Sequence, residues 1–219
     1  MNIFDIIGPV MVGPSSSHTA GVVRIGNVAR RILNARPKKA LIRFHGSFAS
    51  TYSGHGSDRA VIAGLLGFRP DDERIRDSLK IAAENGMEFE FATVNIPGAH
   101  PNTLVIEIEA EDGAALELTG VSTGGGNMLI TSINGTDVHF DGLYTTLLIE
   151  HKDVPGVISV VTSVLNVEGI NIAGMNVFRK RKYGGATMII LIDGELDEHS
   201  VRSLETLPHV TRVTLISKN

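Results

Sequence analysis

Three segments of the chain have the apolar spacing of helices. In the first, apolar residues recur every three or four positions between Val22 and Leu33. The second opens on Ser57 or Asp58, both of which are favoured N-cap types, and the third carries acidic residues in its first turn. We therefore predict helices over residues 19–34, 57–67 and 71–86.

Between and after these helices, apolar and polar residues alternate with a period of two. This alternation predicts strands with one buried and one wet face, which is typical of antiparallel sheets. Helices that are segregated from such a sheet make an α+β domain. The predicted strands span residues 39–50, 88–96, 102–112 and 113–122.

The last third of the chain has its own pattern, in the order βαββαβ. Glycine usage also changes there, since 18 of the 24 glycines precede Leu143. We therefore divide the chain into domains at residues 1–142 and 143–219. The elements predicted for the second domain span residues 144–153 (strand), 155–169 (helix), 170–182 and 186–194 (strands), 196–207 (helix) and 210–217 (strand).

The second domain resembles the ACT family of ligand-sensing modules in the D-x-P-G of residues 153–156 and the E-G-I-N-I of residues 168–172. The resemblance implies a ferredoxin-like fold, self-association, and an amino-acid site near the first helix at an interface between paired copies. It places the regulatory ligand at Asp153, Pro155, Gly156 and Asn171. The alternative is an empty dimerisation module.

Composition excludes several functional classes. The chain has no Cys, which forbids disulfides, thiolate nucleophiles and an iron–sulfur cluster held by this chain alone. Its 24 acidic and 20 basic residues are scattered, and give no footprint for nucleic acid or anionic lipid. No basic residue precedes Arg24, so the charged start of a secretory signal is missing, and no apolar run is long enough to predict a membrane span. We expect a cytoplasmic protein with small-molecule or protein partners.

The richest candidate for chemistry is the segment G-P-S-S-S-H-T at residues 13–19. Its hydroxyls exceed what one N-cap needs, and free amides at a helix start attract a carboxylate or phosphate. The plain alternative is a Gly/Ser loop with a redundant cap. The side chains concerned are Ser15, Ser16, Ser17, His18 and Thr19.

Three other Gly- or Pro-bounded segments carry polar groups. Residues 53–58 place His55 at a helix start, with Asp58 able to orient its imidazole. Residues 97–102 hold His100 and Asn102 in a rigid turn. In S-T-G-G-G-N, residues 122–127, Gly124 and Gly125 would allow a ligand to approach the backbone closely. Each segment also has an ordinary reading, as a capped helix, a solvated turn or a bend.

These segments together lack the ligand spacing of a metal site and the elbow of a serine hydrolase. We therefore expect no metal ligand in this chain, and acid–base chemistry on a bound anion. An electrophile would then have to come from outside the chain.

The motifs I-G-P-V-M-V-G-P-S-S-S-H-T, G-H-G-S-D-R-A, H-P-N and S-T-G-G-G-N, in this order, closely resemble the beta subunits of two-chain iron–sulfur L-serine dehydratases over the whole chain. The resemblance implies elimination of water from L-serine, giving pyruvate and ammonia without pyridoxal phosphate. It also implies a 4Fe–4S cluster with three cysteine ligands on a partner alpha subunit and one iron open as a Lewis acid. Activity would then require that partner.

Within that family, the resemblance assigns His55 as the leading candidate for the catalytic base. His18, with the segment from Ser15 to Thr19, would bind or polarise the substrate, and His100 and Asn102 would position it. A competing hypothesis is a non-catalytic amino-acid sensor built on the ACT domain, because the first domain also resembles the allosteric substrate-binding domain of some phosphoglycerate dehydrogenases.

Overall fold

The computed structural model describes residues 10–179 and 181–218. The chain forms two compact units, which divide between Gly135 and Thr136. The chain contains helices and two separate sheets, so the predicted α+β class is confirmed. None of the described helices is long and apolar enough to cross a membrane.

The first sheet has six strands in the order β2-β1-β3-β4-β5-β6. Its strands are β1 Pro37–His45, β2 Glu88–Val94, β3 Thr103–Ala110, β4 Ala115–Gly124, β5 Asn127–Ile133 and β6 Thr136–Phe140. The helices of this part of the chain are α1 Ala20–Leu33, α2 Gly46–Thr51, α3 Ser57–Leu66 and α4 Ser78–Glu84, with a 3-10 helix at Glu73–Asp77.

One pairing differs from the predicted antiparallel sheet. Strand β2 runs parallel to β1, with Leu41 opposite Glu90, whereas β1, β3, β4 and β5 pair antiparallel. A parallel pair needs a long crossover, and the helices between β1 and β2 supply it. Strands β5 and β6 were not predicted, because glycines and short turns interrupt their alternation.

The strand predicted over residues 39–50 is wrong in its second half, where α2 begins. Gly46 has φ +58°, a left-handed conformation that turns the chain out of the strand. The amide of Ser47 then donates to the carbonyl oxygen of Pro101 at 2.8 Å, and that of Phe48 donates to the same oxygen at 3.4 Å. The loop around residues 100–102 therefore terminates the strand and starts the helix, which local alternation could not reveal.

Helices α1 and α3 pack with their backbones in direct contact. A Cβ at Gly26 would lie 2.6 Å from the carbonyl oxygen of Val61, and one at Gly64 would lie 2.3 Å from that of Val23. Gly26 is the seventh residue of α1 and Gly64 is the eighth of α3. The two helices therefore start at similar distances from their crossing.

Side chains beyond the crossing show the relative direction of the helices. Asn27 Nδ2 donates to the carbonyl oxygen of Phe68 at 2.8 Å, and Arg30 Nη1 donates to that of Leu65 at 2.9 Å. Later residues of α1 thus meet the end of α3, so the helices run in the same general direction. Their N-termini open on the same side, where the histidine-bearing segments begin.

The second unit has the predicted βαββαβ order, with strands in the order β10-β7-β9-β8. Its main core is buried between the sheet and the two helices, and includes Leu147, Val161 and Ile190. The bounds are β7 Thr145–Lys152, α5 Val157–Val167, β8 Ile172–Arg179, β9 Gly185–Ile192, α6 Glu198–Glu205 and β10 Val210–Ile216.

The ends of α5 can be compared with the helix predicted over residues 155–169. The amide of Ile170 donates to the carbonyl oxygen of Leu165, and that of Gly169 donates to Asn166, which is the bonding of a Schellman stop. Gly169, the last residue of the predicted helix 155–169, therefore ends it. The predicted start at Pro155 is wrong by two residues, because the helix begins at Val157 after its N-cap Gly156.

Filling the helix crossing should destabilise the first unit. We expect Gly64→Ala to lower the free energy of unfolding by about 1–3 kcal/mol, because its methyl group meets backbone atoms that cannot rotate away. Urea unfolding followed by circular dichroism measures the change. Gly185→Ala is the matched control, since a Cβ there has no neighbour within 4 Å. Equal stability of the two variants would contradict the close crossing.

Candidate active site

The side chain of His18 is held by hydroxyl groups at both ring nitrogens. Nδ1 lies 3.1 Å from Ser15 Oγ and 3.2 Å from Ser17 Oγ, and Nε2 lies 3.1 Å from Thr51 Oγ1. Ser15 also accepts weakly from the His18 amide at 3.4 Å, as an N-cap residue does. Two of the three serines in the predicted segment, Ser15 and Ser17, thus orient this imidazole.

The donor and acceptor roles around His18 follow from Thr51. Its hydroxyl already donates to the carbonyl oxygen of Ser47 at 2.7 Å, so its oxygen is left to accept from His18 Nε2–H. The neutral ring then has its lone pair on Nδ1, where Ser15 and Ser17 can donate. Thr51 stands 33 positions away in the chain, and no sequence pattern pointed to it.

His18 and His55 meet at the paired helix starts. Their ring centroids are 4.8 Å apart and the rings are nearly perpendicular, at 87°. The ring of Phe48, from α2, contacts the His18 ring edge to face at 5.0 Å. The structure therefore brings together two histidines that lie 37 positions apart in the sequence.

The two histidines have different surroundings. His18 is only 9% exposed, whereas His55 is exposed. The pKa of His18 lies below its usual value, chiefly because burial penalises the imidazolium and secondarily because His55 is close. His18 is thus a fixed, predominantly neutral ring near pH 7, and His55 is the ring that a ligand can reach.

Asp58 does not orient His55, contrary to the prediction. Its Oδ1 accepts from the amide of Arg59 at 2.8 Å, and in the part of the chain that the structure describes its carboxylate has no contact with the imidazole. Burial raises the pKa of this carboxyl group, an effect that the Arg59 amide partly opposes. Asp58 therefore serves the first turn of α3.

The loop of His100 and Asn102 is tied to the cluster only indirectly. The amide of Asn102 donates to His100 Nδ1 at 3.1 Å, so the two residues are held together as predicted. The Pro101 carbonyl between them starts α2, whose Phe48 touches His18. Among the described residues, neither side chain of this pair contacts His18 or His55.

The three glycines of S-T-G-G-G-N form a tight hairpin between β4 and β5. Gly124 pairs with Asn127, and the two turn residues between them, Gly125 and Gly126, both have positive φ, as a type I′ turn requires. Its carbonyl at Gly126 accepts from Arg24 Nη1 at 2.7 Å, so the hairpin is fixed to α1. The turn explains the glycines, and the space above Gly124 is open.

A cavity of about 410 Å³ lies beside the two histidines. His55 is part of its wall, together with two arginines, Arg59 and Arg76, whose role the sequence did not reveal. Its remaining walls are Val12, Gly13, Pro14, Thr19, Gly56 and Ile75. Arg59 follows directly on the second predicted segment, whereas Arg76 comes from the 3-10 helix and had no local signal.

A larger groove, of about 540 Å³, crosses β1, β3 and β4 and is lined by residues such as Glu107 and Glu117. Arg43 pairs with both of these carboxylates. None of its lining residues belongs to the four predicted segments, so we place the site at the smaller cavity.

The residues of this chain do not fit an iron–sulfur cluster. The sequence contains no cysteine to supply thiolate ligands. The structure also shows no group of three or more His, Asp or Glu side chains, within residues 10–179 and 181–218, that could hold a metal ion.

In the second unit, two predicted regulatory residues are already engaged. Asp153 Oδ2 accepts from Arg179 Nη1 at 2.8 Å and from the amide of Tyr183 at 3.0 Å, and these bonds lower the pKa of its carboxyl group. Asn171 Nδ2 donates to Asp193 Oδ2 at 2.6 Å. Both side chains are therefore already bonded within the second unit.

Comparison with known proteins gives two family matches. The family described as "Serine dehydratase beta chain" matches residues 2–132, and "ACT domain" matches residues 145–209. A protein of Bacillus subtilis (strain 168) named "Probable L-serine dehydratase, beta chain" is 45% identical over 216 residues, 99% of this chain and 98% of its own length.

Two further relatives extend this picture. The "L-serine dehydratase, beta chain" of Peptoniphilus asaccharolyticus is 42% identical, covering 89% of this chain and 88% of its own. The "D-3-phosphoglycerate dehydrogenase" of Bacillus subtilis (strain 168) is 26% identical over 88% of this chain but only 37% of its own. The predicted resemblance to both families is confirmed.

The lowered pKa of His18 gives a sign to the pH dependence of stability. As the pH falls below 6.5, the unfolded chain binds a proton at this ring before the folded protein does. The neutral His18 ring therefore contributes its full share to the free energy of unfolding above pH 6.5, and this share declines as the pH falls toward the pKa of the folded state. NMR titration should find His18 titrating below 6.5. His55→Asn should raise that pKa without fully restoring it, because burial is the larger cause. Titration of His18 at or above 6.5 in the wild type would contradict the buried neutral ring.

Proposed function

The chain belongs to the serine dehydratase beta chain family, and we propose that it supplies the acid–base and substrate-binding groups of an L-serine dehydratase. The reaction is elimination of water from L-serine, followed by hydrolysis of the resulting imine to pyruvate and ammonia. The observation that carries the proposal is the pairing of exposed His55 with buried His18 beside a cavity lined by arginines.

We infer that His55 removes the α-proton of serine. A base for this step must be neutral near pH 7 and must reach the substrate, and His55 lines the cavity. His18 is a positioning residue, because its ring is buried and all its polar contacts are within the protein. The neutral His18 ring packs beside His55 and adds no positive charge there.

The partner proposed for this chain is an alpha subunit that ligates a 4Fe–4S cluster. The cysteine-free sequence supports that division, since the cluster would need thiolates from elsewhere. A route through pyridoxal phosphate has less support, because none of the seven lysines lies in a Gly- or Ser-rich candidate segment. The other predicted substrate contacts stay predictions, and they are Ser15, Ser16, Ser17, Thr19, His100, Asn102, Gly124 and Gly125.

For the second unit we propose self-association. Its helix α5 buries Val157, Val161 and Leu165 against the sheet but leaves Ile158, Val160 and Val167 exposed. Exposed apolar groups on one helix favour an interface with another protein surface. The internal contacts of Asp153 and Asn171 support assembly over ligand sensing as the role of this unit.

The base role of His55 can be tested in the reconstituted enzyme. Mixing this chain with a cluster-bearing alpha subunit without oxygen should give pyruvate from L-serine, and His55→Ala should reduce turnover about 100-fold or more. His199→Ala, on an exposed position of α6, is the control and should retain wild-type turnover. More than about a tenth of wild-type turnover in His55→Ala would exclude the base role. No activity in any such mixture would favour the amino-acid sensor instead.

Self-association through α5 predicts a change of mass on charge insertion. Val160→Glu should lower the assembly state in sedimentation experiments, because a carboxylate is costly to bury in an apolar contact. His199→Glu, which places the same charge on α6, should leave the assembly state unchanged. Identical sedimentation of the two variants and the wild type would exclude this face.

A further inference from the structure

The cavity beside His55 contains two guanidinium groups that the proposed reaction has not yet used. Arg59 and Arg76 both line it, and both are exposed. Among the described residues neither has an ion-pair partner within 4.0 Å, in contrast to Arg69 and Arg74, which pair with Asp71 and Asp72. Two unpaired cations in one concave space form a site for an anion.

No carboxylate of the described residues forms an ion pair with either guanidinium. Asp58 interacts electrostatically with Arg59, and its Oδ1 accepts from the Arg59 amide. The carboxylate of Asp72, at the start of the 3-10 helix, is held by Arg74. Arg76 has no acidic partner in the described part of the chain.

Ser57, which follows the cavity residue Gly56 but does not itself line the cavity, has a buried hydroxyl without a partner among the described residues. Ser57 Oγ is fully buried and forms no hydrogen bond within the described residues. Ser57 precedes Val61 by four residues and Gly64 by seven, so it lies on the face of α3 that packs against α1. It directly follows Gly56 in the cavity wall, and buried polar groups without a partner are uncommon in folded proteins.

The cavity also fixes which group of a ligand the arginines would hold. His55 stands in the same wall as Arg59 and Arg76. In an amino acid the α-carbon is bonded directly to the carboxylate, so a carboxylate on the arginines brings the α-hydrogen toward the imidazole. The ammonium group of the amino acid carries the same sign of charge as the two guanidinium groups and the hydroxyl carries none, so the carboxylate is the group that the arginines attract.

We propose that Arg59 and Arg76 form the carboxylate subsite of this chain and orient an α-amino acid with its α-carbon toward His55. The proposal rests on the proposed dehydratase function and names the group by which the substrate is recognised. A guanidinium binds a carboxylate through parallel N–H donors, so it fixes direction as well as position. Arg59 and Arg76 are substrate-binding residues in this assignment.

Kinetics of the reconstituted two-chain enzyme test the subsite. Arg59→Gln and Arg76→Gln should each raise KM for L-serine at least tenfold with a smaller change in kcat, because the carboxylate is charged before and during proton removal. The Lys variants should recover part of the loss, since they restore charge without the planar fork. Arg31→Gln, an exposed arginine near the end of α1, is the matched control and should leave KM unchanged.

A binding experiment separates this inference from the dehydratase function. In NMR titrations of the full chain, L-serine and glycine should shift the Arg59 and Arg76 side-chain resonances, and ethanolamine, which lacks the carboxylate, should not. In each Gln variant the ligand-induced shift of the remaining arginine should be lost, and in Arg31→Gln both shifts should persist. This readout applies even if no mixture with an alpha subunit makes pyruvate, an outcome that removes the proposed activity only.

Three results would overturn the carboxylate subsite. The first is a KM within twofold of wild type in both Gln variants. The others are equal binding of L-serine and ethanolamine, and no binding of any carboxylate. Binding of inorganic phosphate but of no carboxylate would also overturn it, because the site would then serve another anion. Thermal unfolding of each variant identifies a loss caused by misfolding, in which case the Lys variants decide.

Discussion

The direct backbone contact of α1 with α3 is the constraint on which the site depends. Gly26 and Gly64 leave no room for a Cβ, so the helix axes approach more closely than side chains would permit. Since the helices run in the same general direction, their N-termini lie side by side. The rings of His18 and His55, each just before a helix, are therefore 4.8 Å apart without any bond between them.

This proximity produces two unlike histidines from similar positions. His18 is enclosed by Phe48 and by hydroxyl groups at both nitrogens, so its pKa is lowered and its ring is fixed. His55 faces the cavity with Arg59 and Arg76. An oriented, uncharged ring next to an accessible one suits a site in which only one imidazole exchanges protons with a ligand. The Ser15 and Ser17 hydroxyls contribute to this site by holding the His18 ring.

How far the sequence predicts this arrangement depends on whether the signal is local. Apolar spacing predicts α1 to within a residue, and the Gly169 stop is a local feature. The parallel β1–β2 pair and the start of α2 depend on contacts with distant residues, so alternation predicts them wrongly. Motif order identified the histidines, but Thr51 and Arg76 join the site only through tertiary packing, and Asp58 was assigned to the wrong neighbour for the same reason.

The chemical groups that the site contains, and the one that it lacks, explain why the proposed function includes a second chain. Elimination from serine needs a base for the α-proton, an anchor for the substrate, and stabilisation of a departing hydroxide, which is a poor leaving group. In the proposed function His55 is the base, and the arginines in the same cavity wall are the proposed anchor. Both arginines and His55 are exposed, so the site is open on the side from which another group could approach. The third need calls for an electrophile whose thiolate ligands this cysteine-free chain cannot contribute, and that physical deficit makes an alpha subunit part of the proposed function.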